Sequence, residues 1–322
     1  MSARDSAGRW CEVRESVVTN GPATGTRQLE IRVEDGLDIR ILPDRGFDVG
    51  QAWWRSKPLA WYDESRDVPP LAVLRDNAWI SGFSGGLVTT CGLFHIGRPV
   101  HERGLHGTFA HQRAHLVAIG PEGSARARIS EADGLGSLLE VERQISTEGG
   151  RGRFLLSDVI TNRGCQAERV RLLYHVNLLL PGPEMLFLLH GQRLGDPHLE
   201  RAYQTTALPQ PPAGERAEAV LRDHRRMLEI KIAWSGDELP FGHLWRCDTP
   251  HGGVLAVEPA TAPLPGVPPP APAPELVLAP GASKTIRLEV ECAELGSSES
   301  RPLGRVPETG LRSPPPVSLD PD

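Results

Sequence analysis

Apolar and polar residues alternate in short runs from one end of the chain to the other, and this period restricts the fold more than any other feature. The clearest case is Leu29, Ile31 and Val33 followed by Leu37, Ile39 and Ile41, on either side of Asp35-Gly36. Successive strand side chains point to opposite faces, so such runs bury one face and solvate the other. Similar alternation recurs at Leu139, Val141, Arg143 and Ile145, at Leu228, Ile230 and Ile232, and at Ile286, Leu288 and Val290. Around Asp35-Gly36, a two-residue turn sets Val33 opposite Asp38, whereas a three-residue loop Glu34-Asp35-Gly36 pairs Val33 with Leu37 and Ile31 with Ile39. Only the second keeps the apolar residues together, so it is the expectation, with Gly36 at φ > 0. No segment carries a long, capped helical stripe, and 34 Gly with 30 Pro interrupt any candidate. The expected class is all-β, a large antiparallel β-sandwich with long loops.

A length of 322 residues exceeds what most single cores need but suits a large all-β domain, so residues 1–292 are read as one domain. Residues 293–322 are rich in Ser, Gly, Pro and charge and have little to bury; a disordered tail is expected there. Pro263 to Pro274 favours extended polyproline conformation and reads as a surface excursion between two strands. The chain is 39% hydrophobic and 24% charged, enough to build a core. Its formal charge of -6, with both signs interspersed, offers no footprint for nucleic acid or an anionic membrane, and a small neutral ligand fits better. No apolar run is long enough to span a bilayer and the start, Met1 to Ser6, is polar, so a cytoplasmic location is expected. The five cysteines, Cys11, Cys91, Cys165, Cys247 and Cys292, are far apart with no Cys-x-x-Cys pair, which argues for reduced thiols over disulfides or thiolate zinc.

Three separated fragments carry the chemistry: Leu105-His106-Gly107, Tyr174-His175-Val176-Asn177 and Val257-Glu258-Pro259. His106 follows Gly104-Leu105 and precedes Gly107, a flexible context in which an imidazole can approach a ligand, though a hydrogen-bonded loop histidine fits equally well. In the strand-like run from Arg171 to Leu178, alternation puts Leu173, His175 and Asn177 on one face and Leu172, Tyr174 and Val176 on the other. A core face requires internal hydrogen bonds for that His and Asn; a groove floor presents them to a ligand. Glu258 follows the apolar run Val254 to Val257 and precedes Pro259, so the ladder is expected to stop there, leaving a carboxylate at the edge of a site or a strand end. Partial burial raises its pKa. His95, His101, His106, His111 and His115 invite a metal reading, but neither H-x-H nor H-E-x-x-H occurs and no metal is expected. No G-x-S-x-G serine elbow is present either.

Pro43-Asp44-Arg45-Gly46-Phe47-Asp48-Val49-Gly50, Pro58-Leu59-Ala60-Trp61, Gly85-Gly86-Leu87-Val88-Thr89-Thr90-Cys91-Gly92-Leu93, Gly104-Leu105-His106-Gly107 and Leu255-Ala256-Val257-Glu258-Pro259 together resemble the DUF4432 group of aldose 1-epimerase-like proteins, in the galactose mutarotase-like superfamily. The resemblance runs from about Leu29 to Cys292. It implies a β-supersandwich and a carbohydrate bound in a groove across one sheet, with His106, His175 and Glu258 as the catalytic trio and no cofactor. Arg45, Asn177 and His95 are the further candidates for touching a sugar, although for Arg45 a salt bridge to Asp44 or Asp48 is the safer expectation. Asp196, Asp223 and Asp248 are candidates by position for an aspartate that holds a sugar hydroxyl. Of Trp53, Trp54, Trp61 and Trp79, most are expected in the core. Relatives often carry Arg where this chain has Ser81 and Thr108, a departure that bears on substrate or turnover. Two functions follow: an enzyme that interconverts sugar anomers, or a non-catalytic carbohydrate-binding protein on the same fold.

Overall fold

The computed structural model describes residues 2–4, 8–72, 74–120, 122–180, 185–193, 204–209, 214–248 and 252–296. Among them the chain forms four antiparallel sheets and three 3₁₀ turns, Glu64–Arg66, Ala78–Gly82 and Phe109–His111, with no α-helix. The expected all-β class is what is observed. No helix is long and apolar enough to cross a membrane among the described residues.

A six-stranded sheet runs in chain order from Ser2–Arg4 to Lys57–Pro58. A nine-stranded sheet is assembled from two blocks of chain, and the last strand, Ser283–Glu294, lies between them, pairing with Gly152–Asn162 on one side and Leu228–Ser235 on the other. A five-stranded sheet has the order Gln204–Ala207, Phe241–Cys247, Gly253–Ala260, Leu173–Leu180, Thr89–Cys91. The expected domain limit at 292 falls within the last strand, and residues 297–322 of the expected tail lie outside the described residues.

The alternating runs found in the sequence fill one continuous core: Leu29, Ile31, Ile39, Ile41, Val141, Ile145, Ile230, Ile232, Ile286, Leu288 and Val290 are all buried in it. Each contributes about 1.5–3 kcal/mol of apolar transfer free energy. The hairpin pairs Ile31 with Ile39, the register required by the apolar pattern. Its left-handed residue, however, is Asp35 at φ 54°, not Gly36. Gly36 is needed for space instead: a Cβ there falls 2.2 Å from Val33 Cγ2 and 3.0 Å from the Glu148 carbonyl oxygen. Pro263 to Pro274 connects the Gly253–Ala260 and Val277–Leu278 strands and is largely exposed, as expected of a polyproline excursion.

The five-stranded sheet is covered on both faces. Tyr174, Val176, Leu178, Leu255 and Val257 face the main core. Leu173, Cys91, Phe241, Ala260 and Cys247 face a second apolar cluster with Trp61, Trp79, Phe83 and Leu264. The candidate site lies in that second layer.

Candidate active site

Register builds the site. His175 lies opposite Thr89 on one side, and His243 lies opposite Glu258 across the neighbouring strand pair. Between the two central strands the paired residues are Leu173 with Ala260 and Val176 with Val257, which sets His175 directly across from Glu258. Thr89, His175, Glu258 and His243 therefore form one transverse row, all on the face of the second cluster.

Pro259 does not end its strand as expected. The Gly253–Ala260 ladder continues past it, with Pro259 opposite Gly242 on one side. On the other side backbone pairing lapses between Val176/Val257 and Leu173/Ala260. Proline has no N–H to give that ladder, so the lapse falls where His175 and Glu258 meet. The carboxylate is thus in the middle of a sheet, 2% exposed, beside an imidazole 3% exposed.

The His175 Nε2 to Glu258 Oε1 distance is 3.1 Å. At the other end of the ring, Nδ1 meets Asn177 Oδ1 at 2.6 Å, while Asn177 Nδ2 donates to the carbonyls of Gly86 at 2.8 Å and His175 at 2.9 Å. An amide oriented by two donor contacts presents its oxygen to Nδ1, so His175 carries a proton on Nδ1 and turns Nε2 to Glu258. Burial pushes Glu258 up to about 8 and His175 down to about 4, the latter opposed by the Asn177 bond. At neutral pH the pair shares one proton, resting on the carboxyl and bonded toward Nε2.

His106 reaches the same space from a loop. Its ring centre is 6.0 Å from that of His175, edge to face, and 4.8 Å from that of Trp79. Phe83 and Trp245 flank His175 at 5.2 and 5.3 Å. The glycines beside His106 provide closeness: a Cβ on Gly104 falls 2.5 Å from the Leu74 carbonyl oxygen, and one on Gly107 falls 2.7 Å from that of His95. The loop expected to be flexible is packed against backbone. His106 itself has φ 56°, its N–H donates to the Gly97 carbonyl at 2.9 Å, and the Gly97 N–H reaches its Nδ1 at 3.3 Å. The ring proton is then on Nε2. Burial, followed by repulsion from His175, His95 and His243, holds this imidazole neutral, down at about 3.

Just past the loop, Thr108 Oγ1 and the Leu93 N–H both donate to Glu131, whose carboxyl burial pushes up to about 7. Thr108 is thereby an anchor of the loop that presents His106, while Ser81 is exposed on the Ala78–Gly82 turn.

The remaining candidates are placed as follows. Asn177 is buried and orients His175. Arg45 forms no salt bridge to Asp44 or Asp48: its guanidinium donates to the carbonyls of Ala110, Val68 and Gly82 and so holds loops together. Asp44 is engaged directly by Arg27 and Arg113, and Asp48 by Arg143 and Thr90, so Asp48 acts on Arg45 only at longer range. His95 Nε2 contacts the Arg98 carbonyl at 2.6 Å, and the residue lines a cleft of about 410 Å³ with Phe94, Arg103, Arg171 and Pro265. Asp223 bonds Arg226 in the nine-stranded sheet, Asp248 is exposed beside Arg246, and Asp196 lies outside the described residues. His101 and His115 are exposed, whereas His111 accepts the Leu71 N–H on Nδ1 at 3.1 Å. Trp54 and Trp61 are core residues; Trp79, like Trp245, brings an indole to the site. Among the described residues no group of three or more His, Cys, Asp or Glu has metal-holding geometry.

Sequence reasoning missed His243, Trp245 and Phe83. Alternation in Phe241-Gly242-His243-Leu244-Trp245 was the available signal, but it does not say which strand lies next to Glu258.

The architecture is that of the galactose mutarotase-like sandwiches. A structure from Klebsiella pneumoniae subsp. pneumoniae MGH 78578, named as a candidate aldose 1-epimerase, superposes with a TM-score of 0.75 at 20% identity, covering 91% of this chain and 85% of that one. A galactose mutarotase-like protein from Clostridium acetobutylicum gives 0.58 at 12% identity over 88% and 99% of the two chains. The aldose epimerase homologue from C. elegans gives 0.58 at 13% identity over 84% and 100%. At such identities these likenesses establish the fold. The chain belongs to the DUF4432 family, a domain of unknown function, whose model matches residues 23–186, just over half of the 322 residues. No curated protein matches it in sequence.

Proposed function

We propose that this protein is an aldose 1-epimerase-like enzyme that interconverts sugar anomers by acid–base ring opening. One observation carries the reading: a carboxyl and an imidazole, buried in an aromatic-walled layer, are 3.1 Å apart, and burial, which drives Glu258 up and His175 down, favours one proton between them. Moving that proton from Glu258 to His175 Nε2 yields a base and an acid together.

With a sugar between them, Glu258 takes the proton of the O1 hydroxyl while His175 gives its Nε2 proton to the ring oxygen O5. The C1–O5 bond breaks, C1=O1 forms, and the open aldehyde turns about C1–C2. Closing reverses each transfer: O5 attacks the other face of C1, His175 recovers its proton and Glu258 returns one to O1. Asn177 keeps Nδ1 protonated throughout, so Nε2 is the atom that exchanges. His106 supplies a neutral Nε2–H for the ring oxygen or a neighbouring hydroxyl. Each placed acid or base contributes on the order of 10²–10⁴-fold.

Saturation-transfer NMR over a panel of aldoses tests this. Glu258→Gln is expected to remove about 10²–10⁴-fold of the acceleration. Activity requires the one-proton pair: above a pH of about 8 Glu258 ionises beside a neutral His175 and the acid is lost, and below about 4 both groups are protonated and the base is lost. A wild-type protein that binds a sugar yet accelerates none supports the non-catalytic carbohydrate-binding reading instead.

A further inference from the structure

The ring-opening chemistry leaves Glu131 without a part, yet a carboxylate in its position needs a reason. The strand Ser124–Ala132 alternates regularly, and its buried face carries Ala125, Ala127 and Ile129 in the main core before Glu131, which is 4% exposed. A fourth apolar side chain would fill that face without the cost of burying a charge, which is tolerable only when its oxygens are met. Two donors from other parts of the chain meet them: Oε2 accepts the Leu93 N–H and Oε1 accepts the Thr108 hydroxyl.

Those donors sit on the two backbone segments that hold His106. The Gly92 N–H donates to the His106 carbonyl at 3.0 Å, the Phe109 N–H donates to the Gly92 carbonyl at 2.9 Å, and Gly92 forms a parallel bridge with Gly107. The approach leaves no room for side chains. A Cβ on Gly107 falls 2.8 Å from the Gly92 carbonyl oxygen, and one on Gly92 falls 2.1 Å from that of Arg171. A side chain that fastens the two segments has to reach them from outside, and Glu131 does so with one oxygen on each. Leu93 is tied in turn to the strand of His175: its carbonyl accepts the Arg171 N–H at 2.7 Å, just before Leu173–Leu180, and Thr89–Cys91 pairs with that strand at His175 and Leu173. One carboxylate thus links the His106 loop to the His175 strand. His106 needs such a hold, because its φ of 56° is kept by residues other than glycine where the surroundings impose it.

We propose that Glu131 is a positioning residue: by joining Leu93 to Thr108 it fixes the His106 imidazole relative to His175 and Glu258, acting through the loop and not on the sugar. Its effect on anomer exchange rests on the proposed function; its effect on the placement of His106 does not.

Three substitutions test it. Glu131→Leu keeps the bulk and removes both acceptors. Glu131→Gln keeps an acceptor for Leu93 and an amide that can donate to the Thr108 hydroxyl oxygen. Thr108→Val removes one of the two bonds. A group displaced by about 1 Å costs up to about 10²-fold, so Glu131→Leu is expected to lower kcat/KM for anomer exchange about 10–10²-fold, with Glu131→Gln close to wild type and Thr108→Val between them. Adding Thr108→Val to Glu131→Leu is expected to cost little more, since both break the same link. In ¹⁵N-histidine spectra His106 is expected as the Nε2–H tautomer in wild type; in Glu131→Leu its Nδ1 signal shifts or broadens while the His175 signals hold. A Glu131→Leu protein with a lowered unfolding midpoint but wild-type His106 signals and kcat/KM overturns the proposal, as does equal disturbance of His106 and His175. If Glu131→Leu does not fold, Thr108→Val decides by the same two readouts. Wild-type protein that accelerates no sugar removes the anomer-exchange reading alone, and the His106 spectra still decide this one; wild-type acceleration with His106 undisturbed in Glu131→Leu removes only this one.

Discussion

Two clusters of buried ionisable groups lie back to back on the Leu173–Leu180 strand, with Tyr174 in one and His175 in the other. In the main core, Arg143 is 0% exposed and donates to both oxygens of Asp158 at 2.8 and 2.7 Å, to Asp48 at 2.6 Å and to the Gly46 carbonyl at 3.0 Å. Tyr174 adds its hydroxyl to Asp158 at 2.7 Å, and Thr90 gives Asp48 its N–H at 2.9 Å and its hydroxyl at 2.6 Å. Burial works against the Arg143 charge, but Asp158 and Asp48 outweigh it and the guanidinium is held firmly protonated. Across the sheet, burial meets almost no opposite charge: His106, His175 and His243 are driven neutral, Glu258 is driven up, and the Trp79 Nε1 donor finds no acceptor. Equal burial thus gives opposite outcomes. A saturated network fixes two sheets together, while the row on the other face is left with displaced titrations, the pattern on which the proposed function rests.

Breaking the saturated side should cost the most. Arg143→Met strands two buried carboxylates and is expected to destabilise by about 3–5 kcal/mol in urea unfolding. Next, Tyr174→Phe removes one bond to the Asp158 carboxylate and is expected to cost about 1.5–3 kcal/mol while leaving the proposed anomer exchange nearly intact, since Tyr174 lies on the face away from His175 and Glu258. Unchanged stability in that variant would erase the contrast between the two faces. A pH-dependent effect sharpens the other side. Burial pushes Glu258 up to about 8 in the fold from 4.5, so the native state binds the extra proton and loses stability as pH rises between those values, the loss levelling off above about 8. Glu258→Gln does not titrate, so its stability relative to wild type is expected to rise with pH across the same window in thermal melts. A constant difference between pH 5 and about 9 would mean the carboxyl is not buried as described.

Much of this was legible beforehand. The alternation of Ile31 and Ile39 specified a register, and the residue pattern around His175 specified which neighbours share its face, because strand geometry allows only two sides. His106, His175 and Glu258 carried enough local context to be singled out, and they do converge. Gly36 and Gly104 were read as conformationally free, yet both are required by atoms contributed from elsewhere: Val33 and Glu148 in one case, Leu74 in the other. Arg45 was expected beside a neighbouring aspartate, but those aspartates are taken by Arg27 and Arg143, one of them nearly a hundred residues away in the chain.

The sequence by itself determined the class of fold and the apolar faces of its strands, because those depend on period, and its resemblance to a known family drew attention to His106, His175 and Glu258. Only the tertiary structure decided that Pro259 interrupts a ladder rather than ending it, that His243 stands next to Glu258, and that a buried carboxyl meets a buried imidazole where the pairing of the two central strands lapses. Which strand lies beside which is settled by long-range packing, and the protonation of a buried group follows from everything that surrounds it.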